Sequence, residues 1–375
     1  MSITAPWPSS IVALISGELT TWRQLAMAPG EFLDHCTRHE LLGLVHARID
    51  QRADREDWPA AVRDELARYA REETARELLR REEIAGVIAT LAEVGVRAVV
   101  LKGAALAYTV YDNPVERPRL DTDLFVDARD VAAVRAALER RGYAAPPYCA
   151  DLFSQLEMTM TDRFGLVHVI DVHWRISTQA VFADVLAFDE VASRCVPLPS
   201  LGAAAVALCR VDALLLACIH PVMHHQNEQR LHWIYDIHLL AEQMTEAEFE
   251  EFARLARAKH MAAVCAHGVR LAQTAFSARL PSGILASLDR GAAAEPSAEY
   301  LASERRWHHE TLASLRALPR FADRARLVRE VLLPSPQYML GAYGLRGKPL
   351  GAWLLPALYV HRNVRGAWKI IAGKK

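Results

Sequence analysis

Lysine is scarce in this chain: only six of its 44 basic residues are lysines, the rest being arginines. Charge of either sign is not in excess. With 45 acidic residues the formal net charge is -1 and the pI near 7.0, so nothing global points to nucleic acid or an acidic membrane as partner. Cysteine is sparse too. Cys36, Cys149, Cys195, Cys209, Cys218 and Cys265 never approach C-x-x-C spacing, which argues against a disulfide scaffold or a zinc ribbon and for buried thiols in a reducing compartment. No apolar run reaches 18 residues, so no spanning helix is expected. The opening MSITAPWPSS lacks the basic segment and apolar run of a signal peptide. The expected location is cytoplasmic. Neither an internal repeat nor a low-complexity segment is found.

What remains is 375 residues at 52% hydrophobic content, enough for two or three packed units. Residues 1–93 read as an N-terminal helical region: short helices over 9–48, then an apolar stripe from Val62 to Leu91 that lapses midway and so predicts two helices. Residues 94–200 read as an α/β core. "VRAVVLKG" (96–103) is a buried strand and "AALAYTVY" (104–111) a helix. "LDTDLFVD" (120–127) is the next strand and 129–141 a surface helix. A strand is expected near 153–161 and a strong one over "LVHVIDVHWRI" (166–176). Residues 201–330 read as a helical domain, with a break at Pro221 in the first long helix and a capping box, Thr245 with Glu248, opening a later one. Residues 331–375 form a Pro/Gly/aromatic-rich tail expected to pack on that domain. The class is α+β.

"PRLDTDLFVDARD" (118–130) carries the chemistry. Side chains alternate along a strand, so Asp121 and Asp123 project to one face, roughly 6–7 Å apart. Asp171 stands in "HVIDVHW" on the same face as His173, with Ile170 and Val172 opposite. An aspartate in mid-strand is costly unless compensated. Two readings stay open. Asp121 could cap a turn, Asp123 pair with Arg117 or Arg119, and Asp171 pair with Arg175 or a histidine. Alternatively, if the strands are neighbours, three carboxylates form an oxygen site for hard divalent ions, chiefly magnesium. "VVLKGAAL" adds a strand-Gly-helix junction that presents N–H groups to an anion, with Lys102 beside Gly103 and with Arg117 and Arg119 nearby. Cationic groups beside paired carboxylates suit phosphoryl transfer.

"LKGAALAYTVYDNPVERPRLDTDLFV" followed by "VIDVHWRI" resembles the uncharacterised nucleotidyltransferase-like proteins of the polymerase-beta-type superfamily. Leu101, Lys102 and Gly103 match the Leu-Lys-Gly segment, Tyr111, Pro114 and Arg117 a Tyr-x-x-Pro-x-x-Arg element, and Asp121, Asp123 and Asp171 the three carboxylates. His220, His224 and His225, then Arg230, Trp233 and Asp236, continue the match. The resemblance implies a polymerase-beta-type core with a mixed sheet. It also implies magnesium-dependent transfer of a nucleoside monophosphate from a nucleoside triphosphate, with ATP the expected donor, and release of pyrophosphate. The acceptor would be a small molecule, peptide or protein, and nucleic acid is disfavoured by the absence of a basic stripe. Asp121, Asp123 and Asp171 would be the catalytic, metal-binding set, with one or two ions and Asp171 as general base. Lys102, Gly103, Arg117 and Arg119 would hold the phosphates. Thr122, where the family has an aliphatic residue, falls on the buried face. A rival reading keeps the fold but makes the chain a catalytically idle scaffold.

"CIHPVMHHQNEQRLHWIYDIHLL" holds five histidines, with His220 and His224 one turn apart. Zinc is conceivable there, but a buried histidine bonded to Asp236 or Asp212 is the plainer account. His224 or Arg230 is expected to meet substrate, Trp233 to pack in the core, and His173 to orient Asp171.

Overall fold

The computed structural model describes residues 7–18, 21–145, 155–302, 311–312, 314–316, 318, 320–345, 348 and 351–371. Cys149, the opening MSITAP, the first residues of the strand expected near 153, and 303–310 lie outside the described residues.

Four short helices come first: α1 (Ser9–Ile15), α2 (Trp22–Leu25), α3 (Pro29–Arg38) and α4 (Leu42–Asp50). Pro29 takes the first helical position of α3, where its missing N–H costs nothing, and Glu31 sets a carboxylate against the positive helix end. α5 (Ala60–Glu93) then runs 34 residues without interruption, in place of the two helices expected. No proline falls within it. Its polar middle is crossed by ion pairs one turn apart: Arg68 with Glu65 at 2.5 Å and Glu72 at 2.6 Å, and Arg76 with Glu72 and Glu73, both at 3.3 Å. Each contributes only about 0.2–0.5 kcal/mol. More decisive is that the two apolar ends are anchored in different cores, Val62 and Leu66 in one, Ile84, Val87, Ile88 and Leu91 in the other.

The sheet has six strands, β1 (Val99–Val100), β2 (Thr122–Phe125), β3 (Gln155–Thr161), β4 (Val167–His173), β5 (Val196–Pro197) and β6 (Val206–Ala207), in the order β3-β4-β2-β1-β6-β5. It is mixed: β2 is parallel to β4 and β1 to β6, the other pairs antiparallel. The β-branched run at 96–103 gives only two strand residues, because the chain turns at Leu101 into α6 (Lys102–Thr109). Leu124, Leu156, Met158, Ile170 and Val172 pack on one face with the end of α5 and with α7 (Val131–Arg140). Thr122 is buried, as expected. Asp123, Phe125, Asp171 and His173 take the other face by alternation.

After α8 (Ala180–Ala183) and α9 (Phe188–Ala192), the chain is helical: α10 (Arg210–His224), α11 (Leu231–Glu242), α12 (Glu246–Ala258), α13 (Ala262–Phe276) and α14 (Ile284–Asp289). These share an apolar core with α1, α3, α4 and the start of α5. Thr245 and Glu248 form the expected capping box at α12. Pro221 does not break α10, which continues to His224. The proline removes one N–H, yet its carbonyl accepts from the N–H of His225 at 3.1 Å and of Asn227 at 2.9 Å, so the last turn closes. The C-terminal elements are α15 (Phe321–Leu332), α16 (Pro336–Ala342) and α17 (Gly351–Ile371).

One buried ion pair ties the helical part to the sheet. Arg117, in the loop before β2, donates Nε to Asp236 Oδ1 and Nη2 to Asp236 Oδ2, both at 2.8 Å, and the Tyr111 hydroxyl donates to Oδ1 at 2.8 Å. Removing one partner strands the other charge in the interior. Asp236→Ala is therefore expected to lower unfolding stability by about 3–5 kcal/mol in urea denaturation; a loss below about 1 kcal/mol would contradict the clamp.

Candidate active site

The parallel register of β2 and β4 sets Asp123 directly beside Asp171. Adjacent strands lie about 4.8 Å apart, so the two carboxylates share one small volume. His173, two residues on, sits between them, with Nε2 2.8 Å from Asp123 Oδ1 and 3.3 Å from Asp171 Oδ2. Asp123 is 4% and His173 1% exposed. Ligand atoms of Asp123, Asp171 and His173 lie within 4.8 Å of one another. Asp121 follows the same face outward to the rim, where it is exposed. The two strands are neighbours, the condition on which the three-carboxylate reading depended.

Lys102 closes the cluster from the other side. Its ammonium donates to Asp123 Oδ1 at 2.5 Å. The residue holds a left-handed backbone, φ +49°, at the junction of β1 and α6, a conformation that costs a lysine about 1 kcal/mol or more and marks a site under constraint. Burial alone would raise the Asp123 pKa; the charge of Lys102 and the hydrogen bond from His173 outweigh it, and the carboxyl is held well below the usual range. Burial works against the Lys102 charge as well, yet Asp123, then Asp121 and Asp171, raise its pKa. Asp121 has no cation bonded to it. Although the residue is exposed at the rim, partial desolvation of its carboxyl, then the charge of Asp123, pushes its pKa up to about 6, with Lys102 only partly offsetting them.

A cavity of about 700 Å³ opens over this cluster, and Lys102, Gly103, Arg117, Arg119, Asp121, Asp123, Asp171, His173, His224 and Arg230 all line it. Lining it does not leave each group available. The Arg117 guanidinium is held by Asp236 and the Pro118 carbonyl, and an added Cβ on Gly103 would meet it at 3.4 Å. Arg230 pairs with Glu40 at 2.7 Å and Glu228 at 3.1 Å and lies 5.0 Å over Trp233. Arg119 differs: Nη2 donates to Glu77 at 2.7 Å, while Nε and Nη1 are buried without a partner. On α10, His220 stacks on His225 at 4.9 Å, and His225 lies 4.4 Å from Trp233. Burial, with Lys102 adding, lowers the His224 pKa to about 4, so this wall is neutral at pH 7. His220 is lowered well below its ordinary value for the same reasons.

Sequence reasoning missed the wall built by α5. Glu73 and Glu77 are 5% and 6% exposed; Arg80 bonds Glu73, and the Tyr108 hydroxyl bonds Glu77. Their i,i+4 spacing amid arginines reads as a solvated helix face, and only the approach of Arg119 and Tyr108 buries it. The plainer histidine partner, Asp236, belongs to Arg117 instead, and Asp212 to Arg194.

The donor set fits a hard divalent cation. Carboxylate oxygens dominate, and Asp171 Oδ1 is buried with no hydrogen-bond partner, an acceptor that a cation would satisfy. Among the described residues, the cluster with metal-ligand geometry is Asp123–Asp171–His173 and not the histidines of α10.

A family model described as uncharacterised nucleotidyltransferase matches residues 26–277, about two thirds of the chain, from the approach to α3 through α13. All three aspartates and the histidine wall fall inside the match. Among curated proteins none matches significantly. The chain belongs to the uncharacterised nucleotidyltransferase family.

Proposed function

We propose that the protein transfers a nucleoside monophosphate from a nucleoside triphosphate, with ATP as the expected donor, to a hydroxyl of a small molecule, peptide or protein, in a magnesium-dependent reaction. The observation that carries the reading is the side-by-side placement of Asp123 and Asp171, one oxygen of which has no partner, inside a cavity lined by cationic groups.

Asp121, Asp123 and Asp171 would hold the ion. Bound there, magnesium offsets the charge of the reacting phosphate and makes an acceptor hydroxyl easier to deprotonate. Asp171 takes the acceptor proton as the acceptor oxygen bonds to the α-phosphorus and the bond to the β-phosphate oxygen breaks, releasing pyrophosphate. Lys102 and the two partnerless guanidinium nitrogens of Arg119, Nε and Nη1, would receive the phosphate tail near Gly103. Arg117 positions this edge through Asp236. His224 and Arg230 face the acceptor or base from the helical wall.

The Lys102–Asp123 ion pair favours a second reading, an idle nucleotide-binding scaffold, because it lessens the carboxylate repulsion without metal. One buried oxygen of Asp171 keeps no partner at all, which favours turnover.

Magnesium and ATP added together should raise the melting temperature, by the equivalent of about 2.7 kcal/mol at a hundredfold excess over Kd; no shift with any nucleoside triphosphate contradicts donor binding. Asp123→Asn should lower magnesium-dependent pyrophosphate release, assayed over a panel of hydroxyl acceptors, by at least about a hundredfold with an unchanged fold. Wild-type rates in that variant would remove Asp123 from the mechanism.

A further inference from the structure

The near-neutral net charge conceals two opposed halves. Residues 311–375 carry 12 lysines and arginines against two acidic residues, Asp323 and Glu330, while the first 310 carry 32 against 43. A segment this basic attached to an acidic body reads as an interaction element.

Its last described helix, α17, keeps much of its apolar surface outward. The face that meets the protein is mixed: Leu355 and Leu358 are half-buried, while Tyr359 donates to the Pro334 carbonyl, Arg362 to that of Val331 at 2.7 Å, and Asn363 to that of Leu332 at 2.9 Å. The outward face is apolar. Trp353, Val360 and Val364 are 87%, 64% and 63% exposed, and Trp368 continues the line at 55%. Spacings of seven, four and four residues put these four on one stripe of the helix, with Trp353 and Trp368 about 22 Å apart. Arg365 is exposed at the edge of the stripe, and 351–371 contains no acidic residue.

We infer that α17 docks the protein on an anionic lipid surface, lying in the interface and not crossing it. Among the described residues no helix is long and apolar enough to span a bilayer. A stripe of tryptophan and valine flanked by arginine, with apolar area to bury and cations to meet lipid phosphates, is the composition of a helix that lies in the headgroup layer. Pairing α17 with α17 of a second copy would oppose two strongly basic segments. A nucleic acid would meet the arginines but leave the stripe in water. This inference does not rest on nucleotidyl transfer.

The test is flotation of the full chain with vesicles of phosphatidylcholine, with and without phosphatidylserine, at low and high salt. Binding is expected to the phosphatidylserine vesicles, weaker at high salt, and lost in Trp353→Ser/Val364→Ser. Arg365→Gln should weaken it on the order of fivefold; it removes no apolar contact, so it remains informative if the double variant unfolds. No binding to phosphatidylserine vesicles, or binding that both variants leave unchanged, overturns the inference. So does self-association in sedimentation that the double variant abolishes while vesicles bind nothing.

Discussion

Two carboxylates at the same register position of adjacent parallel strands cannot move apart. Their backbones are fixed by the ladder between β2 and β4, and that ladder is fixed by Leu124, Ile170 and Val172 packing on the opposite face. Slipping one strand by a residue would turn its aspartate into the apolar core and its core side chains onto the carboxylate face. The negative charge over the sheet is thus imposed by the fold, and cationic partners must offset it. Lys102 and His173 do so for Asp123; half of Asp171 is left open.

The surroundings are built to keep that charge in a confined space. The helical part lies over the carboxylate face of the sheet, joined to it by the buried Arg117–Asp236 pair, and α5 links the two apolar cores while walling the cavity with Glu73, Arg76 and Arg80. Electrostatic interactions in such a cleft are screened less than at the surface. An isolated aspartate pair on a strand would have little chemistry. Enclosed, with two guanidinium nitrogens of Arg119 buried without a partner, it shares one cavity with unneutralised groups of both signs.

Much of this was legible in the sequence, for identifiable reasons. Alternation alone put Asp121 with Asp123 and Asp171 with His173, and the Leu-Lys-Gly and Asp-x-His-Trp segments pointed to the family. Whether β2 and β4 are neighbours was not legible, because strand order is a long-range property. The continuity of α5 was missed because its stripe lapses where two cores hand over, and the α10 break was expected at Pro221 because a lost N–H says nothing of how its carbonyl is used. Glu73 and Glu77 looked solvated until Arg119 and Tyr108 reached them. The outward apolar face of α17 was not legible because net charge sums away its distribution and the composition of a Pro/Gly/aromatic-rich tail does not say which side packs.

The most direct measurement is a crystal structure of the chain with magnesium and a non-hydrolysable ATP analogue. The account predicts metal at about 2.0–2.1 Å from oxygens of Asp123 and Asp171, with the Lys102 ammonium moved from Asp123 to phosphate. Metal and nucleotide bound elsewhere, with the Lys102–Asp123 contact intact, would contradict it.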